Sequence, residues 1–72
     1  MTEQEQTVTK YINMLLADEW TLKEIGELLR KTIPMELARD CPGVTTLDIL
    51  KIYDSILIEH TIEEYLRQRE YI

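Results

Sequence analysis

One cysteine, one histidine and fourteen carboxylates are the groups from which this chain of 72 residues could build chemistry. Glu59, His60, Glu63 and Glu64 are the densest cluster. At helical spacing they could place a histidine and a carboxylate on one face, as carboxylate-bridged metal bundles do. Such sites need several helices donating inward, and a closed zinc site needs more Cys or His than His60 and Cys41 supply. The same carboxylates also read as an ordinary solvated helix face, and that reading is preferred. Acid–base catalysis needs a pocket that shifts pKa values, which a chain this short rarely encloses. Cys41 sits in Cys41-Pro42-Gly43 and has no histidine near it in sequence, so it reads as a structural or incidental thiol. With two glycines in the chain there is no Gly-rich phosphate loop. The expectation is a protein that is not an enzyme, with no catalytic residues, no metal and no cofactor.

Composition narrows the classes further. The length allows one α-helical domain, residues 1–72, with 1–6 polar and expected to fray. A core of this size supplies only about 3–5 kcal/mol, so small domains commonly rely on disulfides, metals or a partner subunit. A lone cysteine excludes an intrachain disulfide, which leaves oligomerisation. The single thiol and the lack of a signal-peptide pattern or a long apolar run point to the cytoplasm and away from a membrane. Net charge is −6. Residues 1–20 and the stretch from 44 onward each carry about −3, and the middle is near neutral. Bulk acidity argues against non-specific nucleic-acid binding, where phosphate neutralisation dominates affinity.

The elements that would position these groups are all helical. Val8, Tyr11, Ile12, Leu15 and Leu16 recur at i, i+3, i+4, i+7 and i+8, an amphipathic helix ending near Asp18–Glu19. Thr21 and Glu24 form a capping box that opens a second helix, with Trp20 and Ile25 at the two staple positions. Leu22, Ile25, Leu28 and Leu29 are its buried stripe, and Gly26 inside it marks a close helix crossing. Ile33-Pro34 ends that helix, and Pro34 suits the first turn of a short third one, from Met35 to about Asp40. Cys41-Pro42-Gly43 is a turn. Thr45, with Asp48 three residues on, opens a long last helix.

That last helix inverts its pattern. Ile49, Ile52, Tyr53, Ile56 and Leu57 share one face. Beyond them Ile58, Ile62, Tyr65 and Leu66 fall on the other face, and Glu59, Glu63 and Arg67 take the side that was apolar. Either the helix breaks near His60, where Thr61 and Glu64 could cap a new start, or it runs on and its second half packs on another molecule. No strong breaker is present, so the continuous helix is preferred. Leu47 lies off the first stripe and could pack toward the third helix. Tyr11 and Tyr53 belong to the core, while Tyr65, Tyr71 and Ile72 lie beyond the inversion and suit a binding surface.

The fold expected is therefore all-α: a small helical bundle of three main helices plus one short helix, with the long C-terminal helix used for dimerisation. The function expected is that of a small acidic cytoplasmic regulatory or adaptor protein acting by protein–protein binding as a homodimer. Self-association falls to Ile58, Ile62, Tyr65 and Leu66. A protein partner would be met by Arg30, Lys31 and Arg39, or by the acidic row Glu59, Glu63 and Glu70. The alternative is a DNA-binding transcriptional regulator. The stretch Trp20-Thr-Leu-Lys-Glu-Ile-Gly-Glu-Leu-Leu29 resembles the first helix of a helix-turn-helix, in which a small residue packs between two helices, and Arg30, Lys31 and Arg39 lie close to it in sequence.

Overall fold

The computed structural model describes residues 2–70, with the side chains of 2–69. Its order is α1 (Glu3–Ala17), α2 (Leu22–Lys31), α3 (Met35–Asp40) and α4 (Thr46–Glu70). No strand occurs among the described residues. α1, α2 and α4 pack against one another, and α3 lies against α1. The three longer helices thus form a bundle, as the three amphipathic stripes require.

Each helix boundary has a chemical cause. Residues 3–6, expected to fray, instead form the first turn of α1. Thr2 caps it, its Oγ1 accepting from the backbone N–H of Glu5 at 3.1 Å, with Glu3 and Glu5 set against the positive end of the helix dipole. α1 ends in a Schellman arrangement. The N–H of Glu19 donates to Leu16 O at 3.2 Å and that of Trp20 to Leu15 O at 3.1 Å, with Glu19 at φ 71°. The capping box of α2 forms: Thr21 Oγ1 accepts from Glu24 N–H at 3.2 Å, and the Glu24 carboxylate accepts from Thr21 N–H at 3.1 Å. Pro34 occupies the position just before α3. Cys41 to Val44 closes a turn through Val44 N–H to Cys41 O at 3.1 Å, and Gly43 supplies the φ of +87° that its third position demands.

The start of α4 is held twice. Thr45 Oγ1 accepts from Asp48 N–H at 3.2 Å, and Asp48 accepts from Thr45 N–H at 3.3 Å. Asp48 also accepts from Gln4 Nε2 at 3.4 Å, which ties the first turn of α1 to the first turn of α4.

The core is Val8, Ile12 and Leu15 of α1, Ile25 and Leu29 of α2, Leu37 of α3, Val44, and Ile49, Tyr53 and Ile56 of α4. Tyr11, Leu16, Leu22, Leu28, Ile52 and Leu57 pack half-buried at its edge. Among the described residues no charged or polar residue is fully buried. Leu47 departs from expectation. It is exposed, because α3 packs on α1 and makes no approach to α4 that would cover it.

The tightest join is between α2 and α4. The Tyr53 ring lies across Gly26, and its hydroxyl donates to the carbonyl of Leu22 at 2.6 Å. A Cβ at Gly26 would sit 2.6 Å from Tyr53 Oη and 2.8 Å from Cζ. The crossing inferred from that glycine is with the last helix. In an open helix, glycine costs about 1 kcal/mol against alanine. Here the missing side chain makes room for a ring that is held at both its edge and its tip. Gly26→Ala is therefore expected to lower stability by about 1–3 kcal/mol, the usual cost of overpacking, despite its better helix propensity. The midpoint of urea unfolding measures this. A midpoint at or above wild type would show that Tyr53 moves away freely.

Candidate interaction surface

α4 runs unbroken for 25 residues, through His60, so the continuous helix is the arrangement observed. Thr61 does not cap a new start. Its hydroxyl donates back to the Leu57 carbonyl at 2.8 Å, as an interior helix threonine does. Ser55 does the same to Lys51 O at 3.2 Å.

The bundle covers only the first half of α4. Ile56 is its last buried residue, Leu57 and His60 are half-buried, and every residue from Thr61 to Arg69 is exposed. At 1.5 Å per residue, the part beyond His60 projects by roughly 15 Å. The longest dimension of the molecule is 46 Å against 24 and 19 Å for the others.

Ile58, Ile62, Tyr65 and Leu66 each leave 52–59% of their surface exposed. By helical rotation they sit about half a turn from Ile49, Tyr53 and Ile56, so they face away from the bundle. Leu47, exposed about three turns earlier in α4, falls on the same outward side. The Arg69 guanidinium lies over the Tyr65 ring, 5.9 Å from its centroid. That contact follows from i, i+4 spacing and was readable in the sequence, as was the shared face of Leu47. Neither stood out, because each involves a residue outside the four-residue stripe.

The charged candidates are spread over the molecule. Arg30 and Lys31 are exposed in the last turn of α2, where they complement the helix dipole. Arg39 is exposed on α3 and paired with Asp40 at 3.6 Å. α3 packs on α1 and not on α2, so the two-helix unit of a helix-turn-helix is not formed by these elements, and the space beside Gly26 is filled by Tyr53. Glu59 and Glu63 are exposed on the flank of the α4 projection. The side chain of Glu70, and Tyr71 and Ile72, lie outside the described residues.

Among the described residues no three His, Cys, Asp or Glu side chains are placed to hold a metal ion. An open groove of about 430 Å³ runs between the start of α1 and α4, with Gln4, Asp48, Ser55 and Glu59 in its walls. Its best-held carboxylate is Asp48. Hydrogen bonds from Thr45, first its side chain and then its backbone, lower the Asp48 pKa, with Gln4 and Lys51 adding to the effect. A general acid near neutrality needs the opposite shift. Tyr11, at the side of the bundle, has its phenol pKa raised, first by burial and then by the Glu36 carboxylate. It stays protonated, which suits a packing role. Cys41 is a half-buried free thiol. No described helix is long and apolar enough to cross a membrane.

Comparison with protein-family models, with curated proteins and with solved structures finds no match to this chain.

The projection adds no side chain to the core. A chain ending at His60 is therefore expected to keep a single cooperative unfolding transition. Its midpoint should lie within about 0.5 kcal/mol of the full chain when both are monomeric, as for surface changes generally. Circular dichroism at high dilution measures it. A collapse of the transition would mean that the second half of α4 folds back on the bundle.

Proposed function

We propose that this chain is a small acidic cytoplasmic regulatory or adaptor protein that acts by binding protein, and that it does so as a homodimer formed through the second half of α4. The observation that carries this reading is the outward stripe of Ile58, Ile62, Tyr65 and Leu66 on a helix that extends past its own bundle. Fully burying such a side chain is worth about 1.5–3 kcal/mol, and each of these leaves more than half of that surface in water. Four adjacent residues of this kind exceed the scattered exposed apolar side chains of an ordinary monomer. A bundle with so small a core also gains stability from a second subunit.

For an external partner the candidate groups are the bases Arg30, Lys31 and Arg39, or the acidic row of Glu59, Glu63 and Glu70. The lone free thiol fits a reducing compartment. The alternative, a DNA-binding regulator, has less support, because α3 is six residues long and packs away from α2.

Sedimentation at low micromolar concentration tests the reading. Wild type is expected to run as a dimer. Ile62→Asp is expected to run as a monomer, because it would bury an unpaired carboxylate in the interface. A monomeric wild type, or a dimer indifferent to Ile62→Asp, would overturn it.

A further inference from the structure

We infer that the occupant of the α4 stripe is the same stripe of a second copy running antiparallel, crossing near Ile62. This rests on the self-association proposed above and fixes its orientation.

Ser55, Ile58, Ile62, Tyr65 and Arg69 are spaced 3, 4, 3 and 4 apart, which places them on one seam of a pair of helices in the coiled-coil manner. In a parallel, in-register pair each seam residue meets itself. Arg69 would then face Arg69 of the partner subunit. Asp54, on the flank, would face the partner's Glu59 five positions on, the ordinary flanking pair of parallel coils. Both contacts join like charges. An antiparallel pair crossing at Ile62 replaces both. Arg69 then falls beside Ser55 of the partner subunit, next to the partner's Asp54.

The charge order along α4 makes this general. From Asp54 to Glu64 the helix carries four carboxylates and no Lys or Arg, and Arg67 and Arg69 follow. Reversing one helix sets the basic end against the acidic stretch, and opposed helix dipoles add to the preference. The path is also open. Lys51, Asp54 and Ser55, on the outward side of α4 above the bundle, are all exposed, so the end of a second α4 has surface to lie along. The two bundles then sit at opposite ends and do not compete for space.

A single spin label reads the orientation. Cys41→Ser removes the native thiol, and Ser55→Cys places one label on the seam without touching a charge. In the antiparallel dimer the two labels stand 14 residues apart along the axis, roughly 21 Å, plus the separation between the helices. In a parallel dimer they are about 10 Å apart, the interhelical distance. A pulsed dipolar measurement giving 20–30 Å supports the inference. Arg69→Glu should also weaken dimerisation about tenfold by sedimentation, because it sets a carboxylate beside the partner's Asp54. A dimer with strongly coupled labels near 10 Å overturns the orientation and leaves the self-association standing. A labelled protein that dimerises with separations beyond about 40 Å, or both wild type and labelled chain remaining monomeric, overturns the orientation together with the reading it rests on.

Discussion

Tyr53 lying across Gly26 is the contact on which the rest of the arrangement depends. It joins the middle of α2 to the first half of α4 at backbone range, and its hydroxyl ends on the Leu22 carbonyl. With the Thr45–Asp48–Gln4 linkage at the helix start, it fixes where α4 lies on the bundle and which face it turns inward. An α-helix is stiff over this length, so the direction of its first half determines the course of its second. Beyond Leu57 and a half-buried His60, the bundle no longer covers it. The inversion of the apolar pattern at that point places polar side chains where the core would have continued and moves the apolar ones outward.

The outward stripe is therefore a consequence of geometry and pattern together. A monomer that carried the first pattern to the end of α4 would expose Ile and Leu on the bundle side with nothing to meet them. A monomer with a wholly polar projection would have no reason to hold a long helix beyond its core. The sequence instead puts Ile58, Ile62, Tyr65 and Leu66 on the side of α4 that its own bundle does not cover. Under the account proposed, that molecule is another copy, and the acid-then-base order of charges along α4 sets its direction.

Much of the fold was legible because its signals are local. Thr21 with Glu24, Thr45 with Asp48, Pro34, and Pro42-Gly43 are boundary chemistry acting over three or four residues, and the elements begin and end where they indicate. The continuity of α4 through His60 followed from the lack of a breaker. What was missed depends on tertiary placement or on a weak competing rule. Residues 3–6 read as fraying because they are polar, yet Thr2 and Glu5 have the spacing of a cap. Leu47 lies off the first stripe of α4, which leaves α3 as its candidate neighbour, but α3 turns to α1. Gly26 announced a crossing without naming its partner, since the first and the last helix were both open to it. The stripe itself was readable from periodicity alone. The basic residues Arg30, Lys31 and Arg39 looked like one cluster in sequence and lie on helices that do not pack together.

Amide hydrogen exchange of α4 as a function of protein concentration bears most directly on the central claim, that this helix leaves its own bundle and is covered by a second molecule. The account predicts that protection from Ile58 to Arg69 is weak at high dilution and rises with concentration through the micromolar range, while the amides of Ile25, Leu29 and Tyr53 stay protected throughout. Protection of the Ile58–Arg69 segment that is strong and independent of concentration would contradict it, since it would mean the second half of α4 is covered within a single chain.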